Sequence, residues 1–190
     1  MGLGMWKRAG ACAVALLLAA AGASAASAGA LSELSCPSES LTPEQTALMG
    51  SALSGNFGDM TEARRAGDAA IAGCRSRFGW TDAEAEAAHR YLAGQVQQAR
   101  YRRDLEALGI DHAWIESEVL ADDALIAAAL AMSSEPAALA AFIARIESRR
   151  PEMRRSTPAA KRAVGAFLFS TATCEGWKRR FLAAGAAATI

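Results

Sequence analysis

The sequence predicts an all-α protein, a single small bundle of about five to six helices behind an N-terminal export signal. Three observations predict it. Alanine makes up about a quarter of the 190 residues while Val, Ile, Thr and Tyr are sparse, a composition that favours helix over sheet. Helix-capping residues punctuate the chain at helical intervals. Apolar residues recur at spacings of three and four, and no segment alternates as a half-buried strand would.

Residues 1–30 have the three parts of a secretory signal. Lys7 and Arg8 form a basic start, an uncharged run follows from Ala11 to Ala21, and Ala23-Ser24-Ala25 fits a small-x-small cleavage site, with Ala26-Ser27-Ala28 as a second. A membrane span needs roughly 20 apolar residues. This run is shorter and gives way to Gly and Ser, so cleavage near residue 25 or 28 is expected. Cys12 stands early in the run rather than after it, so no acyl anchor is expected. Past Ala30 no uncharged stretch approaches spanning length, and no stable membrane span is expected after cleavage. Residues 26–41 then read as an extended tail and 42–190 as the helical domain.

Thr42-Pro43-Glu44-Gln45 offers a capping hydroxyl, Pro at the first helical position and Gln at the capping-box position. That helix is expected to stop at Gly55. A second runs from about Thr61 to Gly79, which suits the left-handed position after a helix. Thr81-Asp82-Ala83-Glu84 is a capping box for a long third helix closed by Gly109. Asp111 caps a fourth, running to about Met132 with a bend at Asp122-Asp123. Ser134 or Glu135, before Pro136, opens a fifth that ends ahead of Pro151. Thr157-Pro158 opens the last, expected to loosen at Gly176. On this last helix Val164, Phe167, Thr171, Cys174, Trp177 and Phe181 share one face.

Charge narrows the function classes. The chain has 20 basic and 20 acidic residues; loss of Lys7 and Arg8 leaves 18 against 20, a net charge of −2. Nucleic-acid binders show a strongly basic balance, so nucleic acid is not an expected partner. Three cysteines outlast cleavage: Cys36, Cys74 and Cys174. An oxidising compartment permits a disulfide. Cys36–Cys74 is the favoured pair, clipping the tail onto the domain, and Cys74–Cys174 is the alternative. The chain lacks Cys-x-x-Cys, zinc-knuckle spacing, Gly-x-Ser-x-Gly and a phosphate-binding glycine loop.

Glu86 and His89 form a Glu-x-x-His unit of the kind used by di-metal bundles. His112 and Glu116, four apart, form a second candidate pair. Solvated helix-surface pairs are the plainer reading of both. Neither pair completes a metal site, so no cofactor is expected. Arg149, Arg150, Arg154 and Arg155 make a basic cluster suited to an anionic partner; Arg100-Tyr101-Arg102-Arg103 and Lys178-Arg179-Arg180 make two more. The expected protein is periplasmic or secreted and binds an unidentified protein or envelope component without catalysis. A small exported metal-binding or enzymatic bundle is the alternative.

Overall fold

The computed structural model describes residues 31–131 and 136–187, so residues 1–30, Met132, Ser134 and Glu135 lie outside the described residues. The described chain is all helical, with no strand. It holds eight α-helices: α1 (31–40), α2 (Pro43–Ala52), α3 (Met60–Phe78), α4 (Asp82–Ala107), α5 (Ala113–Leu120), α6 (Asp123–Leu130), α7 (Pro136–Arg149) and α8 (Pro158–Ala187). Short 3₁₀ turns at Phe57–Asp59 and Pro151–Arg155 precede α3 and α8.

The caps act as their chemistry requires. Thr42 accepts from Gln45 N while the Gln45 side chain accepts from Thr42 N, and Thr81 and Glu84 repeat the exchange at the start of α4. Gly79 and Gly109 end α3 and α4 at φ +70° and +68°, a left-handed geometry that costs a residue with a Cβ more than it costs glycine.

The count exceeds the expected five to six for two reasons. Residues 31–40, expected as extended tail, are helical. Pro37 removes an N–H from that helix, but the Ser35, Ser38 and Ser40 hydroxyls donate to the carbonyls of Ser32, Ser35 and Cys36. Tertiary ties hold a helix too short to persist alone. Leu34 is buried, Trp80 Nε1 donates to Glu33 Oε2 at 3.2 Å, and Cys36 is bonded to Cys74 of α3 with Cα atoms 6.1 Å apart. The expected fourth helix, in turn, divides where only a bend was anticipated. Asp122 leaves helical geometry (φ −120°, ψ 85°) and its carboxylate caps Leu125 N, which starts α6 afresh.

The centre of the fold is α4 against α8. Gln98 Nε2 donates to Thr171 Oγ1, Cys174 Sγ to Tyr91 O, and Glu84 lies beside Gly185. The paired numbers rise on one helix as they fall on the other, so the two run antiparallel. Three apolar groups form around this pair. Leu105, Ile115, Val119, Ile126, Phe167 and Leu168 fill one end. Leu34, Ile71, Cys74, Trp80 and Phe181 fill the other. Met49, Ala52, Ala63, Leu92 and Val96 bind α2 and α3 to α4.

Two glycines set the spacing. A Cβ on Gly94 would lie 2.7 Å from Cys174 Sγ, and one on Gly176 would lie 2.5 Å from Leu130 Cγ. Gly176 therefore does not loosen α8, which continues unbroken to Ala187; it makes room for α6. Gly94→Ala should gain about 1 kcal/mol of helix propensity but force overlap with Cys174, worth about 1–3 kcal/mol. We expect it to destabilise the native protein and to become neutral or stabilising on a Cys174→Ala background. A double-mutant cycle by urea unfolding should give a coupling of about 1–2 kcal/mol, whereas additive effects would contradict the close approach.

Candidate functional site

The four candidate metal ligands are not brought together. Glu86 and His89 lie near the start of α4, where Glu86 Oε1 meets Arg90 Nε at 2.9 Å and His89 Nε2 stands 3.4 Å from Asp68 of α3. His112 lies beyond the far end of α4, 3.6 Å from Glu106 and 3.3 Å from Glu116, its ring tilted against Phe167. Glu116 also holds Arg102 Nη2 at 2.9 Å. Between His89 and Ala107 the helix advances about 27 Å, so the two histidines belong to opposite ends of the molecule. Among the described residues no group of three or more His, Cys, Asp or Glu is placed to hold a metal ion.

The Arg149–Arg155 cluster is only partly free. Arg149 pairs with Glu118 of α5, and Arg150 stacks its guanidinium 5.3 Å over the Trp114 ring while lying 3.9 Å from Glu152. Arg154 and Arg155 are exposed on the 3₁₀ turn before α8. Toward the end of α8, Lys178 and Arg179 pair with Glu175, Arg179 also with Asp123, and Arg180 covers the Trp177 ring.

Cys174 is the one thiol outside the disulfide among the described residues, and it is buried between α4 and α8. Burial first, and the neighbouring Glu175 second, push its pKa up to about 12; Lys178 opposes them weakly. Burial likewise raises the Tyr91 phenol, reinforced by Cys174 and Glu175. A thiol held neutral is a poor nucleophile and metal ligand.

What the fold does provide is an open cleft between α2 and α4, of about 680 Å³. Its origin is compositional. The face of α2 turned to α4 carries Pro43, Thr46, Ala47, Gly50 and Ser51, with Ser54 in the turn just past its end, and these small residues do not fill the space between two backbones. Opposite them α4 presents Val96, Ala99, Arg100, Arg103 and Asp104. Arg100 reaches across and contacts Ser54 Oγ. A smaller open depression of about 340 Å³ adjoins the cleft, the two sharing Leu41, Thr46, Val96 and Ala99. Ser38 of α1 and Gln95, Gln98 and Arg102 of α4 line this adjoining part. Both side chains are engaged elsewhere, Gln95 Nε2 donating to the Tyr91 hydroxyl at 3.1 Å and Arg102 Nη2 to Glu116 Oε1 at 2.9 Å, while Gln95 Oε1 and Arg102 Nε are shut off from solvent without a partner.

A second groove of about 460 Å³ lies between α2, α3 and the start of α4. Met49, Ala52 and Ala63 form its floor, and Arg64, Asp68, Glu86, His89 and Arg90 its rim. The rim charges largely satisfy one another through Arg64–Asp68, His89–Asp68 and Glu86–Arg90 contacts. The candidate pair Glu86 and His89 thus forms part of a self-paired rim.

Sequence reasoning singled out the arginines at 100–103 but not the cleft they border. The signal available was the small-residue stripe on α2, which acquires meaning only once α4 is known to face it. Comparison with protein-family models, curated proteins and solved structures finds no significant match to this chain.

The Cys174 environment predicts a pH dependence. The folded state keeps the thiol neutral to about pH 12, whereas an unfolded cysteine ionises near 8.5–9. The unfolded chain therefore binds fewer protons between those values, and stability present below about pH 9 is lost as pH rises toward 12. Urea midpoints are expected to fall more steeply from pH 8 to pH 10.5 in the native protein than in Cys174→Ala. At pH 8, iodoacetamide should leave Cys174 unmodified until the protein is unfolded; prompt labelling of the folded form would contradict this environment.

Proposed function

We propose that the chain works outside the cytoplasm as a non-enzymatic binding module for a partner or envelope component, with the α2–α4 cleft as its binding face. The observation that carries this reading is the Cys36–Cys74 pair, taken together with the three-part signal character of residues 1–30. Disulfides persist in extracytoplasmic compartments and are rare in the cytosol. This one anchors α1, whose Ser38 lines the depression adjoining the cleft, so the same bond that suits an oxidising compartment also holds a wall beside the cleft. That no helix among the described residues is long and apolar enough to cross a membrane is compatible with release after cleavage.

Binding without catalysis is supported by the chemistry on offer. The histidines lie far apart, and the thiol outside the disulfide is buried with a raised pKa. The cleft supplies hydroxyls, amides and guanidinium groups, which recognise ligands by hydrogen bonding and charge. The metal-bearing alternative loses its geometric support, because Glu86 and His89 do not meet His112 and Glu116.

Expression of the full-length chain in a secreting bacterial host, with fractionation and non-reduced intact mass, tests the assignment. The expected product lies outside the cytoplasm, starts at Ala26 or Gly29, is lighter by the two hydrogens lost in one disulfide, and keeps a single thiol reactive only on unfolding. A chain retained in the cytoplasm with its leader and all its thiols reduced would overturn it.

A further inference from the structure

Helix α1 is the least self-sufficient element of the fold. It spans residues 31–40, carries Pro37 and four serines, and is too short to persist as an isolated helix. It is held by the buried Leu34 side chain, the Trp80 Nε1 bond to Glu33 and the disulfide to Cys74. In return it closes one end of the core. Cys74 is 1 % exposed and Trp80 4 %, and both belong with Leu34, Ile71 and Phe181 to a single apolar group. Ser40 Oγ lies 3.8 Å from Cys74 Sγ and 4.0 Å from Cys36 Sγ, so α1 also covers the bond that holds it.

That placement restricts how the bond is made. Thiol–disulfide exchange needs a sulfur within reach of an incoming thiolate, and in the closed form neither Cys36, 7 % exposed, nor Cys74 is within reach. Exchange therefore requires α1 to be lifted from α3. We propose that residues 31–40 are a redox latch: α1 is undocked while Cys36 and Cys74 are thiols, folds onto α3 as the bond forms, and then shields the bond from reductant. Its setting rests on the reading of the chain as exported, since extracytoplasmic compartments hold disulfide-carrying exchange catalysts. In the open form the Cys36 thiolate attacks the carrier's disulfide and displaces one carrier thiolate, leaving a mixed disulfide. The Cys74 thiolate then attacks the Cys36 sulfur, closing Cys36–Cys74 and releasing the carrier as a dithiol. Two protons and two electrons pass from the chain to the carrier.

Reduction of the purified, oxidised chain by dithiothreitol tests the latch, read by thiol alkylation and mass. Under native conditions it should be slower than in urea by about a hundredfold or more, since only a lifted α1 exposes the bond. Leu34→Ala, which loosens α1, should speed native reduction about tenfold. Val119→Ala, which removes buried volume at the opposite end of the bundle, should leave the rate unchanged. A chain with both Cys36→Ser and Cys74→Ser should stay cooperatively folded. In it, fast hydrogen exchange should be confined to residues 31–40 and the Trp80 indole N–H, and a Glu-specific protease should cut at Glu33 and Glu39.

Native reduction as fast as in urea would mean that α1 does not shield the bond, and would overturn the latch. No acceleration by Leu34→Ala, or equal acceleration by Val119→Ala, would make the opening global and overturn it too. So would a double-serine variant that keeps residues 31–40 protected, because α1 would then dock without the bond. A double-serine variant that unfolds altogether would make the bond a staple for the whole domain instead. These measurements are made on purified protein and stand apart from location. A chain that passes them yet stays in the cytoplasm would lose the export reading and keep the latch; an exported chain that fails them would lose only the latch.

Discussion

The close approach of α4 and α8 is the constraint on which the rest of the molecule depends. Gly94 removes the side chain that would collide with Cys174, and Gly176 does the same for Leu130 on α6. With backbones this near, van der Waals contact along the pair is dense and leaves little tolerance for added volume. The large side chains of α8 are directed to either end of the pair, Phe167 and Leu168 to one and Phe181 to the other. Each remaining helix then packs on a surface that α4 and α8 have already defined.

The cleft follows from the same economy of side-chain volume applied without a matching partner. Along α8, small residues let a neighbour come close. Along α2 they face Val96, Ala99 and the arginines of α4, and the two backbones do not close the gap. At Gly50 a Cβ would meet Val96 Cγ1 at 3.7 Å, an ordinary contact, so that glycine is not required by crowding there. Small residues at a close crossing serve stability, whereas small residues bordering an open space leave room for something else. The depression beside that space is bounded in part by α1, which is held by Cys74, Trp80 and burial of Leu34.

Much of the fold was legible because it is encoded locally. The Thr42 and Thr81 capping boxes, the left-handed glycines at 79 and 109 and the stripe from Val164 to Phe181 all depend on residues within a few positions of one another. Helix α1 was missed because Pro37 and the serines around it read as chain rather than helix, and what holds the segment lies about 40 residues further on. Gly176 was misread for a related reason: a glycine inside a helix looks like a weak point until Leu130 is seen against it. For the candidate site, the residue types at 100–103 were visible, but their relation to the α2 stripe is tertiary. The separation of His89 from His112 was legible as well, since the Thr81 box and Gly109 bound one long helix with His89 near its start and His112 past its end.

The antiparallel pairing of α4 with α8 also imposes an order on assembly. Their contacts join positions roughly 70 to 100 apart, so closing them carries the loop-entropy cost typical of distant pairings rather than of a helical hairpin. Ribosomes build the chain from the N-terminus, so α8 is made after every other helix described. Until its residues are available, the apolar faces of α4, α5 and α6 have no common partner. The N-terminal ties between α1 and α3 involve only residues made much earlier. The α1–α3 end can thus assemble without α8, whereas the centre of the molecule cannot form until α8 is in place.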